Sequence, residues 1–134
     1  AGGAFKQILI NTGAGEMIAD ALNNAWFNPL LFGFIVAALV RILQGSSTVA
    51  MITAAGITAP VLTGGEYSMA QTSLIVIAIA SGASILSHVN DSGFWLVGQY
   101  LGLTEKQTFK TWTVMITLIA VVGLLVSLIL WFLI

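Results

Sequence analysis

Apolar positions fall in long runs along this chain, and polar positions fall in short clusters between them. The run "PLLFGFIVAALVRIL" follows Asn28 and ends at Leu43. Proline suits the first helical turn, where its missing N–H costs nothing. At about 1.5 Å of rise per residue this helix reaches roughly 22 Å. A hydrocarbon core is about 30 Å thick. After "QGSS" a second apolar helix is predicted from Thr48 to about Ala59, stopped by Pro60 and then Gly64-Gly65. It too is short for a crossing. Two short arms around a polar tip predict a re-entrant hairpin over 28–63, entering and leaving by one face. Irregular backbone at membrane depth is tolerated only where it packs on protein or lines a cavity.

The next run, Ser68 to Leu86, is apolar but rich in Ala, Ser and Gly. Small residues let helices approach closely, so this segment is expected inside a bundle. It meets "SHVNDSG", where Asn90, Asp91 and Gly93 disfavour helix. The apolar run then resumes from Phe94 to Leu101. The pattern over 68–102 predicts one transmembrane helix broken in its middle. Thr104 with Gln107 three residues on fits a capping box. A plain spanning helix is expected over 104–134, with Trp112 and Trp131 placed near its ends as an aromatic belt. Upstream, "NTGAGE" interrupts two short amphipathic pieces carrying Lys6, Glu16 and Asp20. They are predicted as interfacial or arm helices over 1–27.

Composition supports the membrane reading. Charged residues make up 7% of the chain and hydrophobic ones 58%, against about 25% charged in a soluble domain. The fold class expected is therefore an all-α membrane protein. It would be a single transmembrane unit of re-entrant hairpin, discontinuous helix and terminal helix, the parts from which secondary transporters build a midplane site. The four Lys and Arg residues are scattered and the net charge is −1, so nucleic acid is not an expected partner. With no cysteine, thiol catalysis and cysteine metal sites are excluded. No cofactor or metal is expected. The start at Ala1, followed by Gly2, Gly3 and Phe5, reads as the continuation of a longer polypeptide.

Orientation follows from counting. The ends of the hairpin stay on one side and the broken helix crosses. Lys106 and Lys110 then place the 104–110 loop in the cytoplasm under the positive-inside rule, with Glu66 and Ile134 outside.

Two polar clusters carry the chemistry. Helix ends leave four backbone groups without intrahelical partners, and an N-terminal end attracts anions. At the tip, Gln44, Gly45, Ser46, Ser47 and Thr48 supply such ends together with hydroxyls, and Gly45 permits close approach. Ser87, Asn90 and Ser92 repeat this chemistry at the break. A hairpin tip facing a broken helix is how secondary transporters build a midplane site. Asp91 is a costly carboxylate at this depth and suits proton coupling, with His88 three residues earlier as a second titratable group. Asp91 also fits an N-cap for the helix that follows. Arg41, one turn before the tip, suits three roles: neutralising a bound carboxylate, pairing with Asp91, or pairing with a helix outside this chain.

These residues resemble a known family. "RILQGSSTVAMITAAG" and "SHVNDSGFWLVGQYLGLTEKQTFKTWTVM", preceded by "GGAFKQILINTGAG", look like the C-terminal part of the gluconate permeases, the gluconate:proton symporters. The resemblance implies proton-coupled uptake of gluconate or related sugar acids across the bacterial inner membrane. Some members take other small hydroxylated carboxylates. It also implies two inverted repeats, each with a hairpin and a broken helix. Gln44 to Thr48 would be the second hairpin tip and Ser87 to Ser92 the second break. Family members are much longer, so this chain would supply a C-terminal half-site and require an N-terminal half as partner. A homo-oligomer stays open.

Two rival readings belong to other classes. Ser46 or Ser47 with His88 and Asp91 contains the residue types of a nucleophilic triad, as in an intramembrane serine hydrolase. There is no "GxSxG", and His88 and Asp91 share one short break. A non-catalytic bundle segment would leave both polar clusters unexplained.

Overall fold

The structure, a computed structural model, describes residues 11–13, 17 and 28–134. The arm helices expected over 1–27 fall largely outside the described residues. From Asn28 onward the described residues form helices α1 (Pro29–Gln44), α2 (Ser47–Gly64), α3 (Met69–Gly82) and α4 (Ser92–Tyr100), then a long helix α5 (Glu105–Leu133). Among the described residues there is no strand.

Local chemistry sets each boundary. The Asn28 side chain caps α1 by accepting from Leu30 N at 2.9 Å. Gly45 ends α1 in the left-handed conformation at φ 83°, and its N–H returns to Arg41 O. Ser46 then caps α2. Only Gly45 and Ser46 separate the two helices, so the chain doubles back as a helical hairpin. Ser68 with Gln71, and Thr104 with Gln107, form capping boxes at the starts of α3 and α5.

Two expectations need correction here. Pro60 does not stop α2, which runs through it to Gly64. A proline removes one ladder bond and crowds the carbonyl four residues back. That residue is Gly56, and apolar membrane helices tolerate such a defect where neighbours satisfy the freed groups. The terminal helix is not plain either. Residues Phe109–Thr113 form a π-helical turn inside α5, which shifts the phase of everything after it by about 100° relative to an unbroken α-helix.

Helix α3 is the central element, packed against both α1 and α5. Leu30, Phe34 and Ala37 of α1 meet Leu74, Ile75, Ala78 and Ile79 of α3 in the core, with Ala50 and Ala54 of α2. Close approach depends on glycine. A Cβ at Gly82 would strike the Phe34 carbonyl, and one at Gly33 would lie 2.8 Å from Ile79 Cγ1. α3 runs parallel to α1 and antiparallel to α5. Consequently the α1–α2 tip and the α3–α4 break stand at the same level. Among the described residues, α5 is the helix long and apolar enough to cross a membrane; the apolar helices Pro29–Gln44, Ser47–Thr63 and Met69–Gly82 are shorter.

Candidate functional site

The break between α3 and α4 spans 83–91. Its backbone has left the helical ladder, and buried backbone groups must find other partners. Several come from α5. Leu86 adopts φ 48°, and its N–H donates to Thr117 Oγ1 at 3.2 Å. Thr113 Oγ1 donates to Ser87 O at 2.5 Å. The Trp112 indole N–H donates to Ser87 Oγ at 2.8 Å. The π turn brings Trp112 and Thr113 to this level, so Trp112 is half-buried at the break. Trp131 packs instead on Tyr67, ring centroids 6.1 Å apart.

The tip is fastened to the break by a second group of bonds. Asn90 Nδ2 donates to Ile42 O at 2.9 Å, and His88 Nε2 lies 3.2 Å from the same oxygen. These satisfy a carbonyl that the end of α1 leaves without an intrahelical partner. Gly45 lies directly on the Asn90 backbone, leaving no room for a side chain. Arg41 is 3% exposed and donates to Gly45 O and to the Asp91 carboxylate. The same Asp91 Oδ2 accepts from the Ser87 hydroxyl, and Oδ1 accepts from Gly93 N at 3.0 Å. Asp91 is thus the N-cap of α4 and the anion of an ion pair within this chain. A buried pair of this kind depends on further hydrogen bonds to its remaining lone pairs and protons; Ser87 and Gly93 supply them to Asp91, and Arg41 Nε is left buried without a partner.

Between tip and break lies a cavity of about 430 Å³. Arg41, Gln44, Gly45, Ser46, Ser47 and Thr48 line it from the tip, and Asn90, Asp91 and Ser92 from the break. Two residues singled out from sequence do not line it. Ser87 is buried beneath Asp91, and His88 turns to the end of α1. Five lining residues are not among those expected at the site from sequence: Ser84, Gly93, Leu96, Trp112 and Ile116. The polar–apolar pattern assigns helix residues to faces, but only packing shows which face meets a cavity. The helical starts of both α2 and α4 reach this cavity, so the first turns of both, with the hydroxyls of Ser47, Thr48 and Ser92, stand at its wall.

No nucleophilic triad forms among the described residues. His88 bonds to Ile42 O and, at 3.5 Å, accepts from Asn90 N. Asp91 bonds to Arg41, Ser87 and Gly93 rather than to histidine. Nor do the described residues hold a cluster of His, Cys, Asp or Glu suited to a metal ion.

Comparison with known proteins gives a consistent picture. The profile described as GntP family permease matches residues 1–134. A low-affinity gluconate transporter of Escherichia coli (strain K12) is 46% identical over 129 residues, covering 96% of this chain and 29% of that protein. A gluconate permease of Pseudomonas aeruginosa is 48% identical over 130 residues, covering 97% and 28%. The Gnt-II system L-idonate transporter of Escherichia coli (strain K12) is 48% identical over 124 residues, covering 92% and 28%. The chain therefore spans less than a third of the length of these relatives. No solved structure matches it.

Proposed function

Because the chain belongs to the GntP family of permeases, a family of membrane transporters rather than enzymes, we propose that its cavity is the C-terminal half-site of a proton-coupled carrier for gluconate or a related sugar acid. The observation that carries this reading is the convergence of two helix N-termini and a row of hydroxyls on one cavity between tip and break. A sugar acid needs donors for a carboxylate and mixed partners for hydroxyls. First-turn amides and the local dipole of α2 and α4 serve the first. Gln44, Ser46, Ser47, Thr48, Asn90 and Ser92 serve the second. A volume of about 430 Å³ falls within the usual range for small-molecule sites. The relatives named for gluconate and L-idonate point to the same substrate class.

In this reading α1 and α2 are the arms of a re-entrant hairpin, and α3–α4 is a discontinuous crossing helix. They form one of two inverted repeats in a multi-pass protein of the bacterial inner membrane. The missing half closes the cavity from the other side. Coupling follows from charge. Arg41 and Asp91 sum to zero while paired. An entering carboxylate competes with Asp91 for Arg41, and Asp91 released from Arg41 takes the proton. Anion and proton then enter together and leave the site's net charge unchanged, which avoids an uncompensated charge at membrane depth.

The test is a complete carrier containing these 134 residues, reconstituted in vesicles. Wild type should accumulate gluconate when an inward proton gradient is imposed. Asp91→Asn mimics the protonated carboxyl. It should retain gluconate binding with weaker pH dependence and lose accumulation against a gradient. Accumulation by Asp91→Asn at the wild-type level would reduce Asp91 to a cap. Failure of the wild type to bind either gluconate or L-idonate would overturn the substrate class.

A further inference from the structure

The hydrogen bonds at the break form a line that begins outside the two polar clusters. The Trp112 indole N–H donates to Ser87 Oγ, the Ser87 hydroxyl donates to Asp91 Oδ2, and that oxygen also accepts from Arg41. A hydroxyl has one proton and two lone pairs. With an indole N–H fixed on one lone pair, the Ser87 proton is directed to the carboxylate. Thr113 holds the neighbouring Ser87 carbonyl. Ser87 is 1% exposed and Thr113 is 8% exposed, so water does not readily replace either partner. Both donors sit in the π-helical turn of α5. Such turns are costly, and their recurrence at functional sites reflects the side chains they re-aim.

We propose that Trp112 is a positioning residue for the sugar-acid site: seated by the π turn, it orients Ser87, and through Ser87 it sets the Asp91 carboxylate against Arg41. The inference rests on the proposed function for its substrate readout, but the line of bonds can be read without substrate. Trp112 also lines the cavity, so its ring must be separated from its N–H. Phenylalanine keeps an aromatic ring and removes the donor.

The experiment uses the complete carrier containing these residues. Trp112→Phe should raise the KM for gluconate about two- to tenfold, the size of one lost hydrogen bond. Ser87→Ala should do the same. The double variant should match Ser87→Ala alone, because coupled partners are non-additive. If Trp112→Phe does not fold, Thr113→Val removes the second donor and Thr113→Ser restores it, with KM moving and returning in step. In parallel, the carrier is labelled with ¹⁵N-tryptophan. The indole signal that vanishes in Trp112→Phe should shift in Ser87→Ala and in Asp91→Asn, with no substrate present. An unmoved indole signal in Ser87→Ala overturns the proposal. So does an unchanged KM in Trp112→Phe, or additive effects in the double variant. An indole signal that shifts in Ser87→Ala, in a carrier whose wild type binds no sugar acid, would uphold the line of bonds and sink the assigned substrate instead.

Discussion

Gly45 shows how much one residue decides. Its φ of 83° lies in the left-handed region, and a side chain there would run into the Asn90 backbone. Gly102 has a similar φ of 63° but open space around its Cβ position. The left-handed conformation alone costs an L-residue roughly 1–2 kcal/mol. Gly102→Ala should therefore leave uptake near normal and lower stability by about that amount. Gly45→Ala should force tip and break apart and abolish uptake, as measured by gluconate transport at matched expression. Equal behaviour of the two variants would mean that tip and break need not touch. Arg41 and Asp91 make the same point through charge. The sequence marks both as costly at membrane depth and leaves the arginine's partner open among several. Packing chooses, since Arg41 lies one turn before the tip and Asp91 at the end of the break.

At the scale of elements, α5 does more than extend an apolar run. Thr113 and Thr117 supply partners to the backbone of the break. Thr111, on the same helix, bonds only to its own Gln107 carbonyl and is exposed. Thr117→Val should cost about 0.5–1.5 kcal/mol, the net worth of the hydrogen bond from the Leu86 N–H that it removes. Thr111→Val should be nearly neutral. Thermal unfolding of the purified carrier in detergent checks the pair, and equal losses would contradict the assignment. Hydropathy alone does not reveal this role. "TWTVMIT" reads as part of an apolar run, and nothing in residue order marks a π turn. The tip and the break were legible for the opposite reason: "QGSST" and "SHVNDSG" interrupt oily runs with residues that compete for backbone bonds. Pro60 misleads as a stop signal, because breaker rules drawn from water-exposed helices weigh less where neighbours satisfy the freed groups.

For the whole molecule, the antiparallel course of α3 and α5 and the doubled-back hairpin bring the two polar clusters to one level. The sequence supports that conclusion through the general architecture of secondary transporters, not through periodicity, which fixes neither helix order nor helix contacts. In the proposed topology Glu66 and Lys106 lie at opposite ends of a crossing made by α3 and α4, with two lysines at the latter end, so Lys106 should be cytoplasmic. A cysteine at position 106 should resist an impermeant thiol reagent added to intact cells, and one at position 66 should react. The reverse pattern would bring the hairpin in from the cytoplasm. The central claim is that a sugar acid occupies the cavity between tip and break. Its most direct measurement uses the absence of cysteine from these residues. Single cysteines at Ser47 and Ser92, which line the cavity from its two sides, are placed in a complete carrier cleared of other cysteines. Their reaction rates with a small thiol reagent are then measured with and without gluconate. Gluconate should slow both reactions, and an unrelated dicarboxylate should slow neither. Rates at both positions that ignore gluconate, in a carrier that still transports it, would place the substrate elsewhere.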